Sequence, residues 1–231
     1  MTEPAQGLPA VEAPPASAAA LFGDRFALAV RYTELLVGDG VVRGLIGPRE
    51  ADRIWSRHVL NSAVTGALYA DGDRIVDVGS GAGLPGIPVA LARPDVRIDL
   101  VEPLARRAEF LREVVAQLGL GSQVRVVRGR AEDPAVVAEV GEAEWVTSRA
   151  VAPLPRLVRW CLPLIRSGGG VAALKGASAQ QEIDAFRSQA HSLGAADLKV
   201  ARCGEGIVDP AVSVVTARRV PTSTRARRGS K

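Results

Sequence analysis

The spacing of hydrophobic residues divides the chain into two parts that meet near residue 70. Before that point the apolar residues recur every three or four positions, which is the spacing of an amphipathic helix. One such stretch covers 22–37, where the apolar positions are Phe22, Phe26, Ala29, Val30, Leu36 and Val37. A second helix is predicted to begin near Pro48 and to run through READRIWSRHVLNSAVTGALY. The pattern therefore predicts a helical appendage over residues 21–70.

After residue 73, short apolar runs alternate with amphipathic segments. Strands are predicted at 74–78, 97–101, 123–127, 144–147, 170–174, 197–202 and 212–217. The clearest helix covers 104–118, and Gly119 follows it as a C-terminal stop. Strands that alternate with helices predict an α/β fold, here a doubly wound parallel sheet of seven strands with helices on both faces. The last two strands have little chain between them and are predicted to form an antiparallel hairpin at the sheet edge.

The two ends of the chain differ in composition from this main domain, which is predicted over residues 71–220. Residues 1–20 combine prolines with acids and lack the basic region of a secretory signal, so they are predicted to be a disordered leader. Residues 218–231 contain six of the 29 basic residues and no acid. The basic tail, residues 221–231, suits a polyanion such as RNA, and a solvated end that binds nothing explains it equally well.

The remaining composition narrows the class of protein. The chain is 47% hydrophobic and 23% charged, which is typical of a soluble globular protein, and it has no uncharged apolar run of membrane-spanning length. Cys161 and Cys203 lie far apart without the spacing of metal ligands. We therefore expect a cytoplasmic protein with no membrane partner and no metal.

Candidate chemistry is concentrated in a glycine-rich turn after the first predicted strand. The sequence DVGSGAGLPG places glycines at Gly79, Gly81, Gly83 and Gly86, and residues 81–86 match the pattern G-x-G-x-x-G. Such glycines allow a tight turn, close approach of a ligand to the backbone and close packing of the next helix. The match predicts a nucleotide-like ligand without naming it, because NAD and S-adenosylmethionine both need a bare backbone.

Of the two acidic residues near the turn, Asp77 favours S-adenosylmethionine over NAD, and Glu102 suits both ligands. Asp77 comes two residues before the first glycine, where a carboxylate can organise the turn and face the cationic methionine end of that ligand. A dinucleotide instead brings a pyrophosphate, which a helix N-terminus binds best without a nearby acid. Glu102, at the end of the second strand, is predicted to accept hydrogen bonds from ribose hydroxyls in either ligand.

The segment RGRAEDP, after the third strand, is predicted to pass the adenine. A backbone amide at Ala131 or Glu132 could donate to the base. The alternative is that Glu132 and Asp133 cap the next helix, where acids are favourable. The sequence is compatible with both roles.

Four motifs, in order, resemble one family. They are RHVLNS (57–62), DVGSGAGLPGIP (77–88), SRAVAPL (148–154) and ALKG (173–176). They are similar to those of the bacterial small-subunit ribosomal RNA methyltransferases of the RsmG (GidB) type. The resemblance implies a seven-stranded Rossmann-like methyltransferase sheet with an N-terminal helical appendage. It also implies S-adenosylmethionine-dependent methylation of a guanine at N7 in 16S ribosomal RNA, with the rRNA, the small subunit or an assembly intermediate as partner.

The same resemblance assigns the donor pocket to the positions matching Gly79, Leu84, Ala131, Glu132 and Arg149. The chain departs from the family at Asn61, where aspartate is more frequent, and at RGLIGPRE (43–50), which replaces an Asn-Leu-Thr element.

The predicted reaction needs no general base, because guanine N7 carries a free lone pair at neutral pH. The sequence agrees, since SRAVAPLP replaces the Asn/Asp-Pro-Pro-aromatic loop used for exocyclic amines. Cys161 falls on an apolar helical stripe and is expected in the core rather than as a nucleophile. No residue is therefore assigned as catalytic.

Three cationic or titratable residues are candidates for substrate positioning: Arg149, Lys175 and His58. Arg149 and Lys175 follow the fourth and fifth strands, at the edge where ligands bind, and are predicted to bind phosphate or guanine O6. An ordinary surface ion pair is the alternative for each. His58 either contacts substrate or has a structural hydrogen bond.

Other functions remain compatible with the residues alone. A nicotinamide-dependent oxidoreductase, a small-molecule methyltransferase and a non-catalytic RNA-binding domain would each use the glycine turn differently.

Overall fold

The computed structural model describes residues 11–149 and 152–221, and a seven-stranded sheet forms its centre. The strand order is β3-β2-β1-β4-β5-β7-β6. The strands are β1 Arg74–Val78, β2 Arg97–Glu102, β3 Val124–Arg128, β4 Ala143–Arg149, β5 Ile165–Leu174, β6 Ala195–Cys203 and β7 Val212–Arg219. All seven predicted strands are present, and the α/β prediction is confirmed.

The first five strands are parallel, and β7 runs against them. Strand β1 pairs with β2 and β4 on its two sides, whereas β7 pairs antiparallel with both β5 and β6. The predicted antiparallel hairpin is confirmed, with β6 as the edge strand. Strand β5 begins five residues earlier than predicted. Its pairing with β4 shifts register between Ala143 and Trp145, and Gly168 in this early part of β5 has a positive φ of 76°.

Helices cover both faces of the sheet. They are α1 Ala16–Phe22, α2 Phe26–Leu35, α3 Leu60–Ala63, α4 Gly86–Ala92, α5 Ala105–Gln117, α6 Pro134–Val140, α7 Leu154–Cys161 and α8 Ala179–Ala190. One core cluster packs the appendage, α4 and α5 against the sheet, around residues such as Trp55, Ile87 and Phe110. The other packs α6, α7 and α8 against the opposite face, around residues such as Val136, Leu157 and Phe186.

The appendage is more irregular than the predicted pair of helices. The first helix is interrupted by a 3₁₀ turn at Gly23–Arg25, where Gly23 adopts a positive φ of 50°. The second segment passes from a 3₁₀ turn (Pro48–Arg53) through a π turn (Ile54–Val59) into α3 and a further 3₁₀ turn (Val64–Leu68).

The predicted disordered leader is wrong for residues 11–20. Helix α1 begins at Ala16, and Ala18 and Phe22 are buried in the core. The Glu12 carboxylate accepts hydrogen bonds from the backbone amides of Trp55 (2.8 Å) and Ser56 (3.0 Å), which ties this end to the appendage. Residues 1–10 and 222–231, including nearly all of the basic tail, lie outside the described residues.

Candidate functional site

The glycine-rich turn lies at the carboxyl edge of the sheet, between β1 and α4. Gly79, Gly81 and Gly83 all have positive φ, at 72°, 56° and 99°. A Cβ on Gly83 would lie 2.5 Å from the Ile87 side chain, so this position requires glycine on two grounds. The backbone between β1 and α4 is therefore bare, as the sequence predicted for the approach of a ligand.

Asp77 lies beneath this turn. Its side chain is buried, and Oδ2 accepts a hydrogen bond from the Gly86 amide at 3.0 Å. Oδ1 is buried without a hydrogen-bond partner in the described structure. Burial raises the pKa of the Asp77 carboxyl to about 7. The carboxyl holds the turn to the start of α4, as predicted, but it is not among the residues lining the cleft above the turn. Its predicted approach to a cationic ligand stays a prediction.

Glu102 connects the turn to the loop after β2. Its Oε2 accepts from the Gly81 amide and its Oε1 from the Leu104 amide, both at 2.9 Å. The side chain lines the cleft. Each carboxylate oxygen has further acceptor capacity, so Glu102 can also receive hydroxyl donors.

The space above the turn consists of two cavities that share Gly79 and Pro103. The larger one, the cleft, has a volume of about 640 Å³. Its lining includes Ser80, Gly81, Ala82, Leu84, Glu102, Leu104, Arg107, His58, Arg149, Leu45 and Ile46. The smaller one, of about 140 Å³, lies against Val78, Val101, Gly129, Arg130, Ala131, Glu132 and Trp160.

The two proposed roles of the RAEDP loop fall on different residues. Ala131 and Glu132 line the smaller cavity. Asp133 is the N-cap of α6 and accepts from the Ala135 amide at 2.9 Å. The structure thus places Ala131 and Glu132 where a ligand base could contact the loop, and gives capping to Asp133 alone.

Arg149 and His58 meet at the cleft. The Arg149 guanidinium donates to His58 Nδ1 at 2.8 Å, and His58 Nε2 lies 2.6 Å from Glu50 Oε2. Arg149 also donates to Ser62 Oγ at 3.4 Å and to the Arg57 carbonyl at 3.3 Å. Two sequence-predicted residues from distant motifs are therefore brought together by the fold.

The third candidate, Lys175, does not line the cleft with Arg149 and His58. Its Nζ donates to the Ala152 carbonyl at 2.9 Å and pairs with Glu182 at 2.8 Å, and the side chain is largely buried. Glu182 also accepts from the Leu154 amide, which fastens α7 to α8. Lys175 thus forms the ion pair that was the alternative to a substrate contact, and the substrate contact stays a prediction.

Sequence reasoning missed three residues that the structure brings to the site. Glu50 contacts His58 from a 3₁₀ turn, and Tyr32 reaches from α2 to donate to the Ala82 carbonyl at 2.9 Å. Arg107 lines the cleft from α5, and its Nε has no hydrogen-bond partner in the described structure. Of these three residues, only Arg107 could have been predicted from the sequence, because it lies in the first turn of the predicted helix that follows Glu102.

Both cysteines lie in surroundings that disfavour the thiolate needed for a nucleophile. Cys161 and Cys203 are buried, and burial raises the pKa of both thiols. Among residues 11–149 and 152–221, no group of three or more His, Cys, Asp or Glu side chains could hold a metal ion. No helix in that same part of the chain is long and apolar enough to cross a bilayer.

Solved structures identify the class of fold. An S-adenosylmethionine-dependent methyltransferase, SibL, superimposes with a TM-score of 0.56 at 17% identity, covering 84% of this chain and 70% of that one. A predicted O-methyltransferase from Agrobacterium tumefaciens gives a TM-score of 0.50 at 20% identity, over 69% of this chain and 80% of its own. The fold is that of the S-adenosylmethionine-dependent methyltransferases.

Sequence comparison identifies the family within that class. The family model described as rRNA small subunit methyltransferase G (GidB) matches residues 25–211. The protein of that name from Mycobacterium sp. (strain JLS) is 57% identical over 218 residues, which are 94% of this chain and 96% of that protein. The protein of the same name from Rhodococcus jostii is 55% identical over 219 residues, which are 95% of this chain and 96% of that protein. The chain belongs to the rRNA small subunit methyltransferase G family.

Proposed function

We propose that this protein transfers a methyl group from S-adenosylmethionine to N7 of a guanine in 16S ribosomal RNA. The observation that carries the proposal is the cleft itself. A bare glycine turn and Glu102 form one wall, and Arg149 with His58 forms another, in a chain of this family. An rRNA substrate also supports the expected cytoplasmic location.

The residues present fit the donor. Glu102 supplies acceptors for ribose hydroxyls, and the smaller cavity beside Ala131 and Glu132 suits adenine. The glycines that line the cleft have no Cβ and so leave room for the methionine end against the backbone. S-adenosylmethionine supplies a methyl group activated by a sulfonium.

The same geometry argues against NAD. A dinucleotide places its pyrophosphate on the free amides of a helix N-terminus. Here the Gly86 amide, at the start of α4, already donates to the Asp77 carboxyl at 3.0 Å. A pyrophosphate would have to displace a buried carboxyl from this position.

The acceptor side needs alignment rather than proton removal. N7 is unprotonated at neutral pH, so the protein has to orient the base and exclude water. The Arg149 guanidinium can donate to guanine O6 or to a phosphate. The methylated base gains a positive charge, so Arg149 is expected to contact these oxygens rather than approach N7 itself.

The activity is tested with methyl-labelled donor and two substrates, naked 16S rRNA and small ribosomal subunits. After digestion, the label is expected in 7-methylguanine, and comparison of the two reactions shows which substrate the protein prefers. Glu102→Ala should reduce labelling, whereas Glu109→Ala, on the exposed face of α5, should not. Label in another nucleoside, or in neither RNA, would contradict the proposal.

Calorimetry separates the remaining alternatives. S-adenosylmethionine and its demethylated product should both bind, and NADH should not. Binding of NADH alone would favour the nicotinamide-dependent oxidoreductase. Donor turnover without any RNA would favour a small-molecule methyltransferase.

A further inference from the structure

We propose that Glu50 and His58 are positioning residues that hold the Arg149 guanidinium at the cleft through a neutral imidazole protonated on Nε2. The three side chains form one hydrogen-bonded chain that runs from the appendage to the end of β4. The proposal deepens the function proposed above, and its first test does not depend on that function.

The hydrogen-bond partners of His58 determine which ring nitrogen carries the imidazole proton. Arginine has only N–H donors, so His58 Nδ1, 2.8 Å from the Arg149 guanidinium, must present its lone pair. The single imidazole proton then lies on Nε2, which faces the Glu50 carboxylate at 2.6 Å. The other Glu50 oxygen is held by Arg53 at 2.7 Å, so the carboxylate is itself fixed in place.

A neutral acceptor has an advantage over a direct carboxylate. In the described part of the chain, no carboxylate lies within 4.0 Å of Arg149, although the residue is only partly exposed. The imidazole therefore orients the guanidinium without cancelling its charge. That charge stays available for an anionic or carbonyl oxygen of a bound substrate.

Protonation of His58 would break this arrangement. A proton on Nδ1 would face the Arg149 guanidinium, and Arg57 is a second cation nearby, against the single anion of Glu50. Burial, then the charge of Arg149, lower the pKa of the His58 imidazole, whereas Glu50 opposes the shift. The lowered pKa favours the neutral form of the His58 imidazole.

The direct test is ¹⁵N NMR of the histidine side chains in the whole protein. The chain has two histidines, so His191→Asn assigns the remaining signal to His58. At pH 7 we expect a protonated Nε2 and an unprotonated Nδ1, and titration below the usual histidine range. An Nδ1–H tautomer, or an imidazolium at pH 7, would overturn the proposal whether or not the protein methylates RNA.

The pH dependence of the activity gives a second test, in which the direction of the shift distinguishes the proposal from a structural role. In the wild type, kcat/KM for rRNA should fall as pH falls through the His58 pKa. Glu50→Gln keeps an acceptor for Nε2–H but removes the charge that favours protonation, so the acidic limb should move to lower pH. A limb that stays in place or moves upward contradicts the proposal, because loss of fold alone would not shift it downward.

Substitution of His58 separates positioning from bulk packing. Asn can place an oxygen near the Nδ1 position, whereas Ala cannot. We expect His58→Ala to lower kcat/KM by roughly 10- to 100-fold, the scale of a misplaced binding group. His58→Asn should recover part of that loss and have no acidic limb from this residue, and His191→Asn is the matched control. Equal loss in Ala and Asn variants of unchanged melting temperature would refute the role assigned to Nδ1.

Discussion

Asp77 is a buried carboxyl whose stability contribution depends on pH. Its folded pKa of about 7 lies above the value of an unfolded chain, so the folded protein holds a proton that the unfolded chain has lost. The free energy of unfolding should therefore decrease from about pH 4 to about pH 7, by about 1.4 kcal/mol per unit of pKa difference. Asp77→Asn should remove this slope, since the amide oxygen can still accept from Gly86.

Urea unfolding at pH 5 and pH 8 measures the effect. The Asn variant should be more stable than the wild type at pH 8, with little difference at low pH. Asp52→Asn, at an exposed position, is the control. A wild-type slope that Asp77→Asn leaves unchanged would show that other groups cause it.

Arg107 carries a positive charge at the cleft that sequence motifs did not reveal. The guanidinium Nε lacks a hydrogen-bond partner in the described structure, and no acid there forms an ion pair with it. We expect it to contact an rRNA phosphate beside the site. Arg107→Ala should weaken rRNA binding and reduce the slope of log K against log salt by about 1.

The neighbouring Arg112 provides the matched control for this experiment. It lies on α5 and is exposed, without lining the cleft. Arg112→Ala should leave both affinity and salt slope nearly unchanged. If the two variants behave alike, Arg107 has no special contact with RNA.

At the scale of elements, the junction of β1 and α4 depends on a glycine at its tightest point. A Cβ on Gly86 would overlap the Leu100 side chain and lie 2.9 Å from Asp77 Oδ2. Gly86→Ala should destabilise the protein by about 1–3 kcal/mol, the usual cost of overpacking a core. It should also weaken donor binding, because the turn above must shift.

Gly38 is a suitable control for that substitution. A Cβ at this position would have no atom within 4 Å, and the backbone φ is not positive, so Gly38→Ala should be neutral or slightly stabilising. Urea titration gives the stability change and calorimetry the donor affinity. Equal effects at the two glycines would contradict the packing argument.

The sequence was most informative where one element determines the geometry. The strands, the glycine turn and Glu102 follow from local alternation and from the shared edge of parallel strands. They lie close to their predicted positions, with β5 beginning five residues early. Tyr32 and Glu50 were missed because they reach the site through packing of the appendage, which leaves no local pattern. Lys175 follows a strand as Arg149 does, but only the structure shows that Glu182 neutralises it.

In residues 11–20, too, contacts with distant residues determine a structure that the local sequence does not predict. Prolines and acids in residues 1–20 suggested disorder, yet the Glu12 carboxylate accepts from two backbone amides of the appendage and α1 buries Phe22. Composition describes the chain in isolation, whereas this segment is ordered by residues more than forty positions away.

For the whole molecule, the appendage and the sheet share one core. A single hydrophobic cluster includes Trp55 of the appendage together with Ile75 and Leu100 of the sheet. Arg25 reinforces the contact by donating to Gln123 Oε1 at 2.6 Å and to the Ala90 carbonyl at 3.0 Å. Residues 21–70 should therefore not unfold as a separate domain.

A two-probe unfolding experiment tests this unity. In a variant with Trp145→Phe and Trp160→Phe, fluorescence reports only on Trp55, which packs against Phe22 and Phe26 at ring-centroid distances of 6.4 and 6.3 Å. Far-UV circular dichroism of the same variant reports on the secondary structure of the whole chain, including the sheet and the helices that cover it. Because one core must open at once, the two signals should give the same urea midpoint and the same slope, as two-state unfolding requires.

The substitutions lower stability for both probes equally, so they do not affect the comparison. A fluorescence transition at lower urea than the dichroism transition would instead show that the appendage detaches first, and the donor cleft would then be able to lose His58 and Tyr32 while the sheet stays folded.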